Sequence, residues 1–181
     1  MNPLLLVFMF LFQSFFSLNS QKQESPSPMP TLTENQWLME DLIKKWENNK
    51  HYSLQVLEAM PEEHYDFAPA KGMKSFREQA SHIATGFNYQ LKKSGLPALP
   101  AVKNKSKAAM IESYGEIFDA LLQNLKNYPA DQLKEEASMW YGTSARLRML
   151  NLMDNHLAHH RGQMIVYLRL KGIKAPAYVG W

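Results

Sequence analysis

The last third of the chain contains one uninterrupted helical pattern, SARLRMLNLMDNHLAHHRGQMIVYLRLKG, from Ser144 to Gly172. It predicts a helix from about Ser144 to Lys171, ended by Gly172, because glycine commonly follows the last helical residue. Within this helix His156 and His160 are four residues apart. That spacing places two side chains on one helix face, about 40° apart around the axis. The pattern therefore predicts two imidazoles held side by side, which is half of a transition-metal site.

The neighbours of these histidines indicate how the helix is oriented. At about 100° per residue, Met149 and Tyr167 fall close to His156 around the axis. We therefore interpret the histidine face as the buried one. His159 falls at the edge of this face, and we interpret it either as a surface residue or as one that supports the candidate metal ligands. Arg161 falls on the far side and is predicted to point outward, where it would tie the helix to a loop.

Three further amphipathic segments complete the predicted fold. The first helix is expected to begin after Thr31 or Thr33 and to run to about Met60, with the polar segment 47–51 as a kink or exposed stretch. The second is expected over 75–93. Its apolar residues recur at helical spacing: Phe76, Ala80, Ile83, Phe87 and Leu91.

The connections between the helices indicate the topology. The third helix is expected over 106–128, and a long connection, 97–105, precedes it. Such a connection is needed when consecutive helices of a bundle are not neighbours. Residues 130–143 are predicted to be irregular, and the tail from Ile173 is expected to fold back over the bundle. The predicted class is all-α, a four-helix bundle with a long crossover connection.

Composition narrows the classes of function. The net charge is +3, with Lys and Arg mixed among Asp and Glu, which argues against nucleic acid as the main partner. The chain has no cysteine, which excludes disulfides, thiolate ligands and a cysteine nucleophile. Any metal must therefore be held by histidine and carboxylate. A homodimer is left open by the sequence.

The N-terminus predicts export. Residues 1–20 carry no charged side chain, and an apolar run ends in polar residues near Ser20, as in a secretory signal peptide. Residues 21–31 hold three prolines and are interpreted as a linker to a domain spanning 32–181. The expected location is periplasmic or extracellular, with an uncleaved N-terminal membrane anchor as the alternative.

Spacing alone leaves the third ligand open. His82 lies midway along the second helix, close around the axis to Gly86, where the missing side chain would let a neighbour or a ligand approach. His51 and His64 are the other candidates, and both are interpreted as surface groups.

Three segments of the chain resemble the DinB-like family. They are MPEEHYDFAP (60–69), SFREQASHIA (75–84) and HLAHHRGQ (156–163), the last followed by YLR (167–169) and GIKAP (172–176). The resemblance covers about residues 32–181, and its C-terminal string is the specific part. It implies a four-helix bundle that holds a divalent metal, zinc or nickel, through His82, His156 and His160.

The resemblance leaves several functions open. Three imidazoles leave a metal position free, where a bound ion would lower the pKa of a water or thiol. We expect a metal-dependent hydrolase-like enzyme acting on an unidentified small molecule. The alternatives are a thiol-dependent S-transferase, which export disfavours, and a non-catalytic metal-binding or interaction bundle.

Other candidate pocket residues surround these ligands in the sequence. Gln163 and Tyr167 could orient a substrate or a metal-bound water, and the alternative for Gln163 is a hydrogen bond to another helix. Tyr89 could line the cleft or pack in the core. Glu78 could act as a general base, and the alternative is a solvated glutamate at the start of the helix. Trp140, Tyr141 and Trp181 are candidates to cover the site. No catalytic residue is identified by sequence.

Overall fold

The structure is a computed structural model that describes residues 32–94, 96–139 and 141–180. The predicted signal peptide, 1–20, and the linker, 21–31, lie outside the described residues. The described residues form four α-helices: α1 (Glu34–Ala59), α2 (Phe76–Ser94), α3 (Lys107–Lys126) and α4 (Arg146–Leu170). The predicted four-helix bundle is confirmed, and its helix boundaries hold to within two residues.

The helix ends follow from local hydrogen bonding. Thr33 and Gln36 cap α1 reciprocally, each side chain bonding the other's backbone N–H. Ser75 and Glu78 do the same at α2, with the Glu78 carboxylate accepting the Ser75 N–H at 2.7 Å. These bonds satisfy backbone donors that have no partner inside the helix. Gly172, with φ of +71°, follows the end of α4.

The helices pair out of sequence order. Helix α1 packs chiefly along α3, and α2 packs along α4. The chain therefore crosses between α2 and α3 through the segment 96–106, as predicted. Asn88 fixes this connection by accepting the Leu99 N–H at 2.7 Å and donating to the Leu99 carbonyl at 3.1 Å. At the centre of the core, Phe87 contacts Trp46 and Phe118 edge-on, with ring centroids 5.5 and 5.9 Å apart.

The polar segment 47–51 does not interrupt α1; Asn49 within it is buried, whereas Glu47 and His51 are exposed. The prediction for the segment 130–143 is wrong. It is not wholly irregular, since β1 (Glu136–Met139) pairs antiparallel with β2 (Gly142–Ala145). These strands have four residues each, the shortest run over which an alternating pattern indicates a strand.

The C-terminal tail returns over the bundle as predicted. Ile173, Ala175 and Val179 pack against the core. Asn48 on α1 donates to the Gly180 carbonyl at 3.3 Å, which fixes the end of the described tail. Among the described residues, no helix has the length and apolar character required to cross a membrane.

Candidate metal centre

Three histidines converge between α2 and α4. One ring nitrogen from each of His82, His156 and His160 lies within 4.8 Å of the other two. The His82 Nε2 and His156 Nε2 atoms are 3.2 Å apart. The structure thus brings together the three residues that the family resemblance implied. His51 is exposed and His64 is half-buried, and neither belongs to this group among the described residues.

Glycine at position 86 allows this close approach of the two helices. A Cβ atom built at Gly86 would lie 2.5 Å from Cε1 of His156 and 3.1 Å from its Nδ1. No carbon contact is normally that short, since optimal separations are about 3.5–4.0 Å. The His156 ring therefore occupies space that any other residue at position 86 would fill.

The orientation of α4 differs from the prediction. Its buried stripe runs through Met153, Leu157, Met164 and Leu168, and the histidines lie half-buried beside this stripe, toward α2. Arg161, predicted to point outward, is only 8% exposed.

Polar residues of α1 explain why Arg161 is buried. Its Nη1 donates to Asn49 Oδ1 at 2.9 Å and to Ser53 Oγ at 3.3 Å, and its guanidinium lies 4.6 Å from the Tyr52 ring centroid. These contacts compensate in part for the lost hydration of the charge. The sequence pattern of α4 alone gave no sign of them.

Gln79, which the sequence analysis did not select, is the residue that orients the site. It is 3% exposed, and its Oε1 atom lies 2.8 Å from His160 Nδ1. The carbonyl can only accept, so His160 carries its proton on Nδ1 and leaves Nε2 free for a metal. The position was detectable in principle, since Gln79 precedes His82 by three residues and so shares its helix face.

The Gln79 amide group extends this network. It donates to the Tyr167 hydroxyl at 3.2 Å and to Gln163 Oε1. Tyr167, which is buried, in turn donates to the Lys74 carbonyl at 3.0 Å. The Gln163 amide contacts His159 Nε2 at 3.0 Å. Gln163 and Tyr167 thus support the histidine cluster from one side, and His159 is exposed beside it.

The remaining predicted pocket residues are placed differently. Tyr89 is 53% exposed on α2, and its role in a pocket stays a prediction. Glu78 caps α2, which favours its structural reading. Tyr141 is 40% exposed, whereas Trp140 and Trp181 lie outside the described residues.

The electrostatic environment keeps all three imidazoles neutral. Burial lowers the pKa of His82, and the charge of Lys74 lowers it further. Burial, followed by His82 and His159, lowers the pKa of His156. Burial and the neighbouring histidines lower the pKa of His160 from 6.5 to about 4. Neutral imidazole is the form that binds metal, so the ligands are ready near neutral pH.

The donor set fits a divalent transition metal. With Zn–N bonds of about 2.0–2.1 Å, two ligands of a tetrahedral ion are about 3.3 Å apart. The 3.2 Å between the His82 and His156 Nε2 atoms agrees with that separation. Imidazole suits zinc and nickel alike. Among the described residues, no carboxylate belongs to the cluster.

An open groove lies along α2, and His82 is the cluster histidine that lines it. Its volume is about 390 Å³, and it reaches His82 between Lys74 and Thr85. Ser81 and Asn104 line it as well, and the Asn104 amide donates to the Ser81 hydroxyl at 3.2 Å. The groove therefore offers polar and charged side-chain groups and is large enough for a small molecule.

Comparisons with known proteins relate the sequence and the fold of this chain to one family. The model of the DinB family matches residues 29–180. An uncharacterized Bacillus subtilis protein, YjoA, is 22% identical over 137 residues, which is 72% of this chain and 89% of YjoA. A DinB-like crystal structure from Bacillus cereus superimposes with a TM-score of 0.71 at 22% identity, covering 77% of this chain and 97% of that one. The YjoA crystal structure superimposes with a TM-score of 0.63 at 20% identity, covering 76% of this chain and 96% of that one.

Proposed function

Because the chain belongs to the DinB family, we propose that it binds one divalent metal ion, zinc or nickel, and is a metal-dependent hydrolase-like enzyme. The observation that carries the proposal is the convergence of three ring nitrogens within 4.8 Å. His82, His156 and His160 would hold the ion. Three protein ligands are the number typical of catalytic zinc sites, which keep a further position open.

A bound divalent ion would supply Lewis acidity and lower the pKa of a water or thiol at its open position. The residues around it have separate tasks. Gln79 holds His160 in the tautomer that presents Nε2, and Tyr167 holds Gln79. The groove beside His82 would bind the substrate through the Ser81 hydroxyl and the Asn104 amide. These polar groups favour a polar small molecule over an apolar one.

The test is a hydrolysis screen of the full-length protein loaded with zinc or nickel. Carboxylic esters, phosphate esters, amides and lactones would be assayed, each with and without a low-molecular-weight thiol. The proposal expects turnover of one class that stops on chelation and in His156→Ala, but survives in His159→Ala, its exposed neighbour.

Three outcomes would count against metal-dependent hydrolysis at the histidine cluster. A strict requirement for added thiol would instead identify an S-transferase. Metal binding without metal-dependent turnover of any substrate would leave a non-catalytic metal-binding bundle. Turnover that persists in His156→Ala after chelation would place the chemistry elsewhere in the chain.

A further inference from the structure

A second, smaller pocket lies between α1, α4 and the C-terminal tail. Its volume is about 140 Å³. Five of its lining residues on the helices have polar or charged side chains: Lys45, Asn48, Asn49, Asp154 and Arg161. Asn49 and Arg161 are more than nine-tenths buried. None of these residues belongs to the histidine cluster, so this pocket is a separate site.

Arg161 brings unused hydrogen-bond donors to this pocket. A guanidinium has five N–H groups, and the bonds of Arg161 to Asn49 and Ser53 all come from Nη1. Within the described part of the chain, its Nε and Nη2 atoms have no hydrogen-bond partner. That edge of the guanidinium carries the parallel N–H pair that matches the two oxygens of a carboxylate or phosphate.

The charge of Arg161 also lacks a direct counter-ion. Asp154, the acidic residue of the pocket, contacts Lys45 Nζ at 2.5 Å and accepts from Asn49 Nδ2 at 2.8 Å. None of the ion pairs among the described residues includes Arg161, whose bonds go to neutral oxygens. Burial lowers the pKa of Arg161, as expected for a cation removed from water. A buried cation without a paired anion is unfavourable, and an anion in the pocket would relieve it.

We propose that this pocket binds a small oxyanion, a carboxylate or a phosphate, through the free edge of the Arg161 guanidinium. Asn48 and Asn49 lie in the same wall, and each already donates one amide N–H, to the Gly180 carbonyl and to Asp154 respectively. Asp154 pairs with Lys45, so it is not the direct ion-pair partner of Arg161. The Tyr178–Gly180 tail forms the opposite wall, so a bound anion would hold the tail against α1.

The experiment is calorimetric titration of full-length, metal-free protein with sodium acetate and with inorganic phosphate, in chloride buffer. Removing metal ensures that the anions cannot bind at the histidines. Arg161→Gln removes the charge. Because that variant could fail to fold, Ala158→Leu provides a second test, since Ala158 is exposed on α4 and lines the pocket. Ala108→Leu is its matched control, because it makes the same change at an exposed position of α3 outside the pocket lining.

The inference expects saturable binding of one of the two anions with one site per chain. Binding should weaken at least tenfold in Arg161→Gln and in Ala158→Leu and be unchanged in Ala108→Leu. Acetate binding alone would identify a carboxylate site, and phosphate binding alone a phosphate site. Absence of binding, or the same weak response in every folded variant, would overturn the inference and indicate an adventitious ion only. The histidine site is not involved, so this result is independent of the proposed metal chemistry.

Discussion

Replacing Gly86 with alanine should separate metal binding from folding. The new Cβ would lie 2.5 Å from Cε1 of His156. Since carbon contacts are optimal at about 3.5–4.0 Å, the ring must retreat by about 1 Å. A metal site tolerates ligand displacements of only about 0.2 Å. We therefore expect zinc affinity to fall at least about 10–100-fold, as when a residue that orients a ligand is lost.

The same substitution should leave the fold intact. The clashing atoms belong to the end of a side chain, which can swing aside, and alanine is favoured over glycine in a helix interior by about 1 kcal/mol. The free energy of unfolding of the metal-free protein should therefore either rise or fall by less than about 1 kcal/mol.

The assay pairs zinc competition against a chromophoric chelator with urea unfolding of the metal-free protein. Gly115→Ala is the matched control, because Gly115 is also helical and a Cβ there meets nothing within 4 Å. It should bind zinc as the wild type does. Wild-type zinc affinity in Gly86→Ala would refute the inference that His156 ligates from the position described.

Three further predictions concern the surroundings of the site and the crossover. Gln79→Leu should weaken zinc binding about 10–100-fold in the same competition assay, whereas Gln90→Leu on the same helix should not, because only Gln79 orients a ligand; equal affinities would contradict this. The pKa of His160 is about 4 in the fold against an ordinary 6.5, so between these values the unfolded chain binds more protons and metal-free stability falls with falling pH. Between pH 7 and pH 5, the free energy of unfolding by urea should therefore fall less in His160→Gln than in wild type. Equal falls in the two proteins would refute the lowered pKa of His160. Asn88→Ala removes both hydrogen bonds to Leu99 and should lower the free energy of unfolding by about 1–3 kcal/mol. An unchanged urea midpoint would show that these two hydrogen bonds do not stabilise the fold.

The sequence predicted the helices well because their signals are local. Capping by Thr33 and Ser106 and the stop at Gly172 depend only on nearby residues. The close approach of another group to Gly86 was also predictable, because the missing side chain leaves space for any neighbour. The identity of that partner, His156, required the structure.

The remaining features depend on contacts between distant segments. Arg161 is buried because Asn49 and Ser53, more than a hundred residues earlier, bond it. Gln79 gains its role from His160 on another helix. In both cases the deciding partner lies outside any local sequence window.

Metal analysis of the purified full-length protein, after incubation with zinc or nickel and removal of the excess, tests the three-histidine centre most directly. Wild type would be compared with His82→Ala, His156→Ala and His160→Ala, and with His159→Ala as the control beside the cluster. We predict about one equivalent of metal in wild type and in His159→Ala, and a loss in each of the other three, because a three-ligand site does not survive removal of a ligand. A wild type that takes up neither metal, or full retention in the three ligand variants, would contradict the proposed centre.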